Sequence, residues 1–216
     1  MKKINHLAVA AAMALVVSAM SARAGVLYTT LGPSGEFDAT NGYFVDGSNF
    51  FNQVIGSPFT VSSNATLGIA ELGLNNFSGN NNPVNLFIES DAGGQPGSIL
   101  GSFTQVGTIP PFNSETLTSF TPNASLTLST GTTYWLVAQE TDPGTEQAWD
   151  YAFNDATNNV AFDQTGSVTG PWTTFNGTDV AFRINSAVPE PSSFMLLAAG
   201  LLGVGAIAFA RRRRLS

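Results

Sequence analysis

Hydrophobic positions follow different rules in the middle of the chain and at its two ends. Residues 66–74 alternate apolar and small or polar side chains, which puts Leu67, Ile69, Leu72 and Leu74 nearly on one face of a strand. Residues 84–89 repeat the pattern after the turn-rich stretch 79–83. Residues 91–97, Asp-Ala-Gly-Gly-Gln-Pro-Gly, then call for two turns in succession. Strand-type runs at 99–106, 116–120, 132–139, 148–153 and 179–184 complete the main set, and no window of helical period competes with them. Short strands separated by Gly, Asn and Pro turns predict an all-β fold: a single antiparallel β-sandwich or jelly-roll-like domain over residues 25–187. Its core should contain Phe59, Leu67, Ile69, Leu72, Leu74, Leu86, Ile88, Phe103, Phe120, Trp135, Val137 and Phe182. With fourteen Phe, four Tyr and three Trp, the segment can close a core without covalent staples.

The ends carry different patterns. Met1-Lys2-Lys3, an apolar run over about residues 7–20, and Ala22-Arg23-Ala24 have the form of a secretory signal peptide, residues 1–24, cut after Ala24 by a signal peptidase. Near the other end, Phe194 to Ala210 is apolar or glycine throughout, long enough as a helix to reach ~25 Å and just span a bilayer. Arg211, Arg212, Arg213 and Arg214 follow at once, and such a cluster stays cytoplasmic, leaving the rest of the chain outside. A C-terminal transmembrane helix over 194–210 is therefore expected, its membrane contact transient if the tail is processed.

Pro189-Glu190-Pro191, then this hydrophobic stretch, then the arginines form three elements in a fixed order within residues 188–216. The arrangement resembles the PEP-CTERM sorting signal of Gram-negative bacteria. That resemblance implies processing by an exosortase-like membrane enzyme, with this chain as its substrate, and an association with exopolysaccharide and biofilm. Within 57–140, Pro58-Phe59-Thr60-Val61, the turn 90–97 and Gly131-Thr132-Thr133-Tyr134-Trp135-Leu136-Val137 resemble the exported choice-of-anchor modules, most nearly type R. This second resemblance implies a β domain and no particular ligand.

Charge and composition narrow the chemistry. Residues 25–187 contain Arg183 as their one basic residue against fourteen carboxylates, a formal −13, and have no His, Lys or Cys. Thiol chemistry, a Ser-His-Asp triad and a P-loop lysine are excluded there, and nucleic acid is a poor partner for so acidic a segment. Carboxylates remain: Glu140, Asp142, Glu146 and Asp150 crowd one stretch and could serve a glycosidase. The preferred reading is a loop solvated by its own acids, and no enzyme. Asp91, Asp155, Asn158 and Asp163 lie in turn-like segments and suit Ca2+, although turns require the same residues. Trp149, Tyr151 and Trp172 are candidates for stacking on sugar rings, with core packing as the competing role. The expectation is an exported, non-enzymatic protein of the cell surface or extracellular matrix that interacts with exopolysaccharide. A carboxylate-based glycosidase and a protein-binding adhesion module are the alternatives.

Overall fold

A computed structural model describes residues 24–78, 83–153 and 156–187. The leader, the Pro-Glu-Pro motif, the hydrophobic tail and the arginine cluster lie outside the described residues. The strands are β1 (Val26–Thr29), β2 (Asp38–Asp46), β3 (Val54–Thr60), β4 (Ala65–Asn76) and β5 (Asn85–Asp91). They continue as β6 (Pro96–Val106), β7 (Leu117–Pro122), β8 (Thr127–Leu128) and β9 (Thr133–Gln139). The last four are β10 (Glu146–Tyr151), β11 (Thr157–Asp163), β12 (Thr173–Thr178) and β13 (Phe182–Ser186). The fold is all-β, and every paired strand runs antiparallel to its partner.

One sheet follows the order β1-β13-β4-β7-β6-β5-β9-β3-β11-β12, and it curls. The curl brings Tyr28, on the first strand of that order, to 5.8 Å from Phe59 on β3, with Phe182 stacked beside it. A ribbon of β2 and β10 branches from the last residues of β4, where Leu74, Asn75 and Asn76 pair with β10. The ribbon lies over the hollow of the curl. Trp149 on β10 meets Phe182 at 5.9 Å, and Tyr43, directly opposite Trp149, meets Phe175 on β12 at 5.6 Å. Leu72, Leu86, Ile88, Phe120 and Leu136 fill the interior, all fully buried.

Eleven of the twelve expected core residues are buried, and Ile69 corrects the list, being 46% exposed. The cause is a β-bulge. Leu67 pairs with Ser186 and Ala70 with Ile184, so three steps on β4 match two on β13. The extra residue reverses the alternation, and Ala70, Leu72 and Leu74 take the inward positions. A second irregularity lies in β2, where Gly42 pairs with Asp150 but Asp38 with Tyr151. Residues 39–41 loop out between these pairs, so an Asn-Gly pair that reads as a hairpin turn instead bends one strand.

Ala24–Ala187 form one compact unit. Its ends meet: Gly25 N donates to Ser186 Oγ at 2.8 Å, and Ser186 N donates back to Gly25 O at 2.7 Å. β4 begins beside this junction and ends under the ribbon, roughly 30 Å of strand away.

Candidate functional site

The convex side of the curled sheet and the outer side of the ribbon each carry aromatic rings and a buried carboxyl. On the sheet, Val54, Trp135, Val137 and Ala161 form a second apolar cluster, with Phe87, Val168 and Trp172 packed against it. The turn after β5 folds over this cluster. Gly93 and Gly94 adopt φ of 75° and 89°, values that favour glycine, and let the chain reverse tightly. The turn is then pinned. Trp135 Nε1 donates to Asp91 Oδ1 at 2.8 Å, Asn159 Nδ2 donates to Gly94 O at 3.0 Å, and Pro96 lies against the small Gly56. Trp135 is left 1% exposed. A cavity of about 460 Å³ remains beside the turn, lined by Tyr28, Thr60, Asp91, Thr133, Asn158 and Asn159 among others.

Glu89, directly opposite Trp135 on β5, is fully buried, and neither carboxylate oxygen has a hydrogen-bond partner among the described residues. Burial pushes its carboxyl up to about 8, so it is largely protonated at neutral pH.

The outer side of the ribbon is arranged otherwise. Phe44, Phe77 and Phe112 wall a cavity of about 240 Å³, with Gly42 and Ala148 on its lining and Thr40, Asn41 and Asp150 supplying polar groups. The rings continue as a file on the surface. Phe51 to Phe44 is 5.9 Å, Phe44 to Phe77 is 5.9 Å, and Phe77 to Phe112 is 4.6 Å between centroids. All four remain 36–57% exposed. Gly42 is required here, because a Cβ would stand 2.5 Å from the Trp149 carbonyl oxygen.

Asp150 is 1% exposed. Its Oδ1 accepts from Asn75 Nδ2 at 2.9 Å, and its Oδ2 has no partner among the described residues. Asn75 is itself fixed, donating to Ala39 O at 2.8 Å and accepting from Ser114 N at 3.3 Å. Burial, with the nearby Asp38 charge adding to it, pushes the Asp150 carboxyl up to about 8 against the opposing Asn75 hydrogen bond. Asp38 moves the other way. Hydrogen bonds from Thr40 and Asn41 hold its carboxylate below the ordinary range. The cleft thus has a neutral acid at its floor and a carboxylate nearby.

The stacking candidates from the sequence are distributed differently. Trp149 is fully buried and donates its indole N–H to Ala181 O at 3.0 Å, so its ring face belongs to the core. Tyr151 is half-buried with its ring 4.9 Å from Tyr43. Trp172 is half-buried against the Trp135 cluster.

The carboxylate cluster also separates. Glu140 Oε1 accepts from Thr141 N and Asp142 N, and Asp142 Oδ1 accepts from Gly144 N, so both shape the loop after β9. Glu146 stands four residues before Asp150 on one strand, ~13 Å along it, farther than two glycosidase carboxyls stand apart. Of the four, Asp150 lines the Phe-walled cleft.

Among the calcium candidates, Asp91 and Asn158 share the larger cavity, where Asp91 is engaged by Trp135 and Asn158 donates to Asp179 and Pro58. Asp163 Oδ1 accepts from Thr165 and Ser167 within its own turn, and Asp155 lies outside the described residues. Among the described residues no cluster of three His, Cys, Asp or Glu side chains is arranged to hold a metal. Arg183 is paired with Glu71 at 2.8 Å.

Sequence reasoning passed over Phe44, Phe77, Phe112, Asp38 and Glu89. A signal existed for two of them. Phe77 follows Asn-Asn and precedes Ser-Gly, and Phe112 sits between Pro-Pro and Asn-Ser, so each is a large apolar ring within turn residues. No protein-family model matches the chain, and no curated protein is similar enough to count as a relative.

Proposed function

We propose that this chain is an exported, non-enzymatic component of the cell surface or extracellular matrix whose β domain holds polysaccharide. In this reading the ribbon and the curled sheet are the two layers of a β-sandwich of jelly-roll type. The leader directs export, and the tail anchors the chain in the inner membrane until an exosortase-like enzyme cuts near Pro189-Glu190-Pro191. The observation that carries the binding role is the file of exposed Phe rings on a face otherwise built from Thr, Asn and carboxyl groups. Flat apolar rings beside hydrogen-bonding groups suit sugars, which present C–H faces ringed by hydroxyls. The position favours it too, since the cleft lies at the far end of β4 from the Gly25–Ser186 junction where the domain's chain enters and leaves.

A second reading has its own support. Among the described residues β1 and β12 each pair along one side only, and such edges can accept a strand from a protein partner. One experiment addresses both readings: recover the protein from the surface fraction, determine its ends by mass spectrometry, and pass it over the cells' extracted polysaccharide with and without Ca2+. A chain starting at Gly25, lacking its arginines and retained by the polysaccharide is expected. An intact arginine tail on the extracellular form contradicts the sorting claim. Co-purification of a protein with no retained polysaccharide favours the second reading, and turnover of the polysaccharide refutes the non-enzymatic one.

A further inference from the structure

The ribbon cleft carries more information than a patch of apolar surface would. Its volume of about 240 Å³ gives space for one small ring between its walls. Its walls are apolar on the Phe44, Phe77 and Phe112 side and polar at Thr40, Asn41 and Asp150. An occupant must therefore be amphipathic face to edge. A wholly apolar ligand would leave the Asp150 Oδ2 buried without a partner, and a wholly polar one would gain nothing from the rings.

A pyranose ring meets both demands. The charge of the site selects further, because the ionised Asp38 carboxylate stands close to Asp150 and the domain's Arg183 is paired elsewhere with Glu71. An anionic sugar would meet the Asp38 charge with no free cation among the described residues to offset it.

Resting on the polysaccharide reading above, the geometry points to a single-residue subsite for an uncharged pyranose, stacked on Phe77 and its neighbours and hydrogen-bonded through a hydroxyl to the Asp150 carboxyl. Asn75 is the positioning residue, since it holds Oδ1 of that carboxyl and leaves Oδ2 for the ligand. Asp150 carries the recognition and Asp38 the exclusion of uronates. The site discriminates by chemistry, neutral against acidic sugar, rather than by total affinity.

The test uses the full chain purified in a detergent without a sugar headgroup. It is titrated at pH 6, by NMR, with methyl glycosides of glucose, galactose and mannose and with methyl glucuronide. At least one neutral glycoside should bind, and the glucuronide should bind about tenfold more weakly, a difference of ~1.4 kcal/mol. Phe77→Ala should weaken the neutral ligand by about fivefold, the scale of one lost ring contact. Asp150→Ala should weaken it comparably, while Asp150→Asn, which keeps a donor and an acceptor in place, should restore binding to within about threefold.

Equal binding of glucoside and glucuronide would overturn the proposal. So would neutral binding that both Phe77→Ala and Asp150→Ala leave unchanged. The extracted polysaccharide separates this failure from that of the parent reading. Retention that the two variants share with the parent chain removes this subsite and leaves the polysaccharide role standing, whereas no retention by the parent chain removes both.

Discussion

Two outer faces of this domain start from the same materials and end differently. The convex face of the sheet has the cluster of Trp135, Trp172 and Phe87, with Glu89 paired opposite Trp135, and the ribbon has Phe44, Phe77 and Phe112 lining one cleft with Asp150. Both acids are buried and both are pushed up to about 8. On the sheet Trp135 is held under a pinned turn and sealed from water, with Phe87 and Trp172 packed against its cluster. The ribbon's rings stay open, and its acid is held at one oxygen by Asn75. Rings under a turn contribute to stability; rings left on the surface cost solubility and contribute little to folding, which is the reason to look for a ligand there. Aromatic content alone does not mark a site. What covers the rings decides.

The contrast can be broken at both faces, beginning where the effect is largest. Trp135→Ala removes a buried indole and leaves Asp91 with the Gly94 N–H as its donor, and should cost about 3–5 kcal/mol in urea denaturation. A loss below ~1 kcal/mol would show that the turn does not seal this face.

Glu89→Gln tests the hidden acid. A carboxyl raised to about 8 in the folded chain keeps a proton that the unfolded chain, near its ordinary 4.5, releases. Stability is then fully present at acidic pH, falls as pH rises through that interval, and is lowest above about 8. Asp150, with Asp38 and Asn75 facing it, contributes in the same direction. The parent chain should therefore melt at a lower temperature at pH 9 than at pH 5.5. Glu89→Gln should reduce that difference and raise Tm at pH 9 by a few degrees, on the order of 1–2 kcal/mol.

Asp91→Ala acts on the turn alone and should cost about 1–2 kcal/mol, with indole fluorescence shifting to the red as Trp135 gains water. At the open face the expectation reverses. Phe112→Ala should change stability by less than about 0.5 kcal/mol, because half of that side chain already faces solvent.

The sequence revealed the two faces unequally. Strand segments with clean alternation were legible: 84–89 lies largely on β5, 132–139 on β9 and 99–106 on β6. β2 and β12 were obscured because each contains Asn-Gly, which in these strands serves a looped-out bend and an exposed edge instead of a hairpin. Ile69 was misplaced because a bulge shifts parity without any local sign in the apolar pattern.

The candidate site was harder to see for a related reason. Trp149 and Tyr151 share a strand face, but only pairing with β2 and β4 makes that face the interior one. The cleft walls come from β2, from the segment after β4 and from the loop before β7, three places whose meeting no local pattern encodes. In the sequence Asp150 stands out by its company, Glu146 and Glu140. Its significant neighbours, Asn75 and Asp38, are far away along the chain.

The central claim is that the open Phe face, and not the sealed Trp face, meets sugar. Aromatic-ring NMR of the full chain with selectively labelled Phe and Trp, recorded as extracted matrix polysaccharide is added, tests it most directly. Resonances of Phe44, Phe77 and Phe112 should shift or broaden while those of Trp135, Trp149 and Trp172 stay in place. Shifts at Trp135 and Trp172 with the three Phe unchanged would contradict the account and move the site beneath the turn.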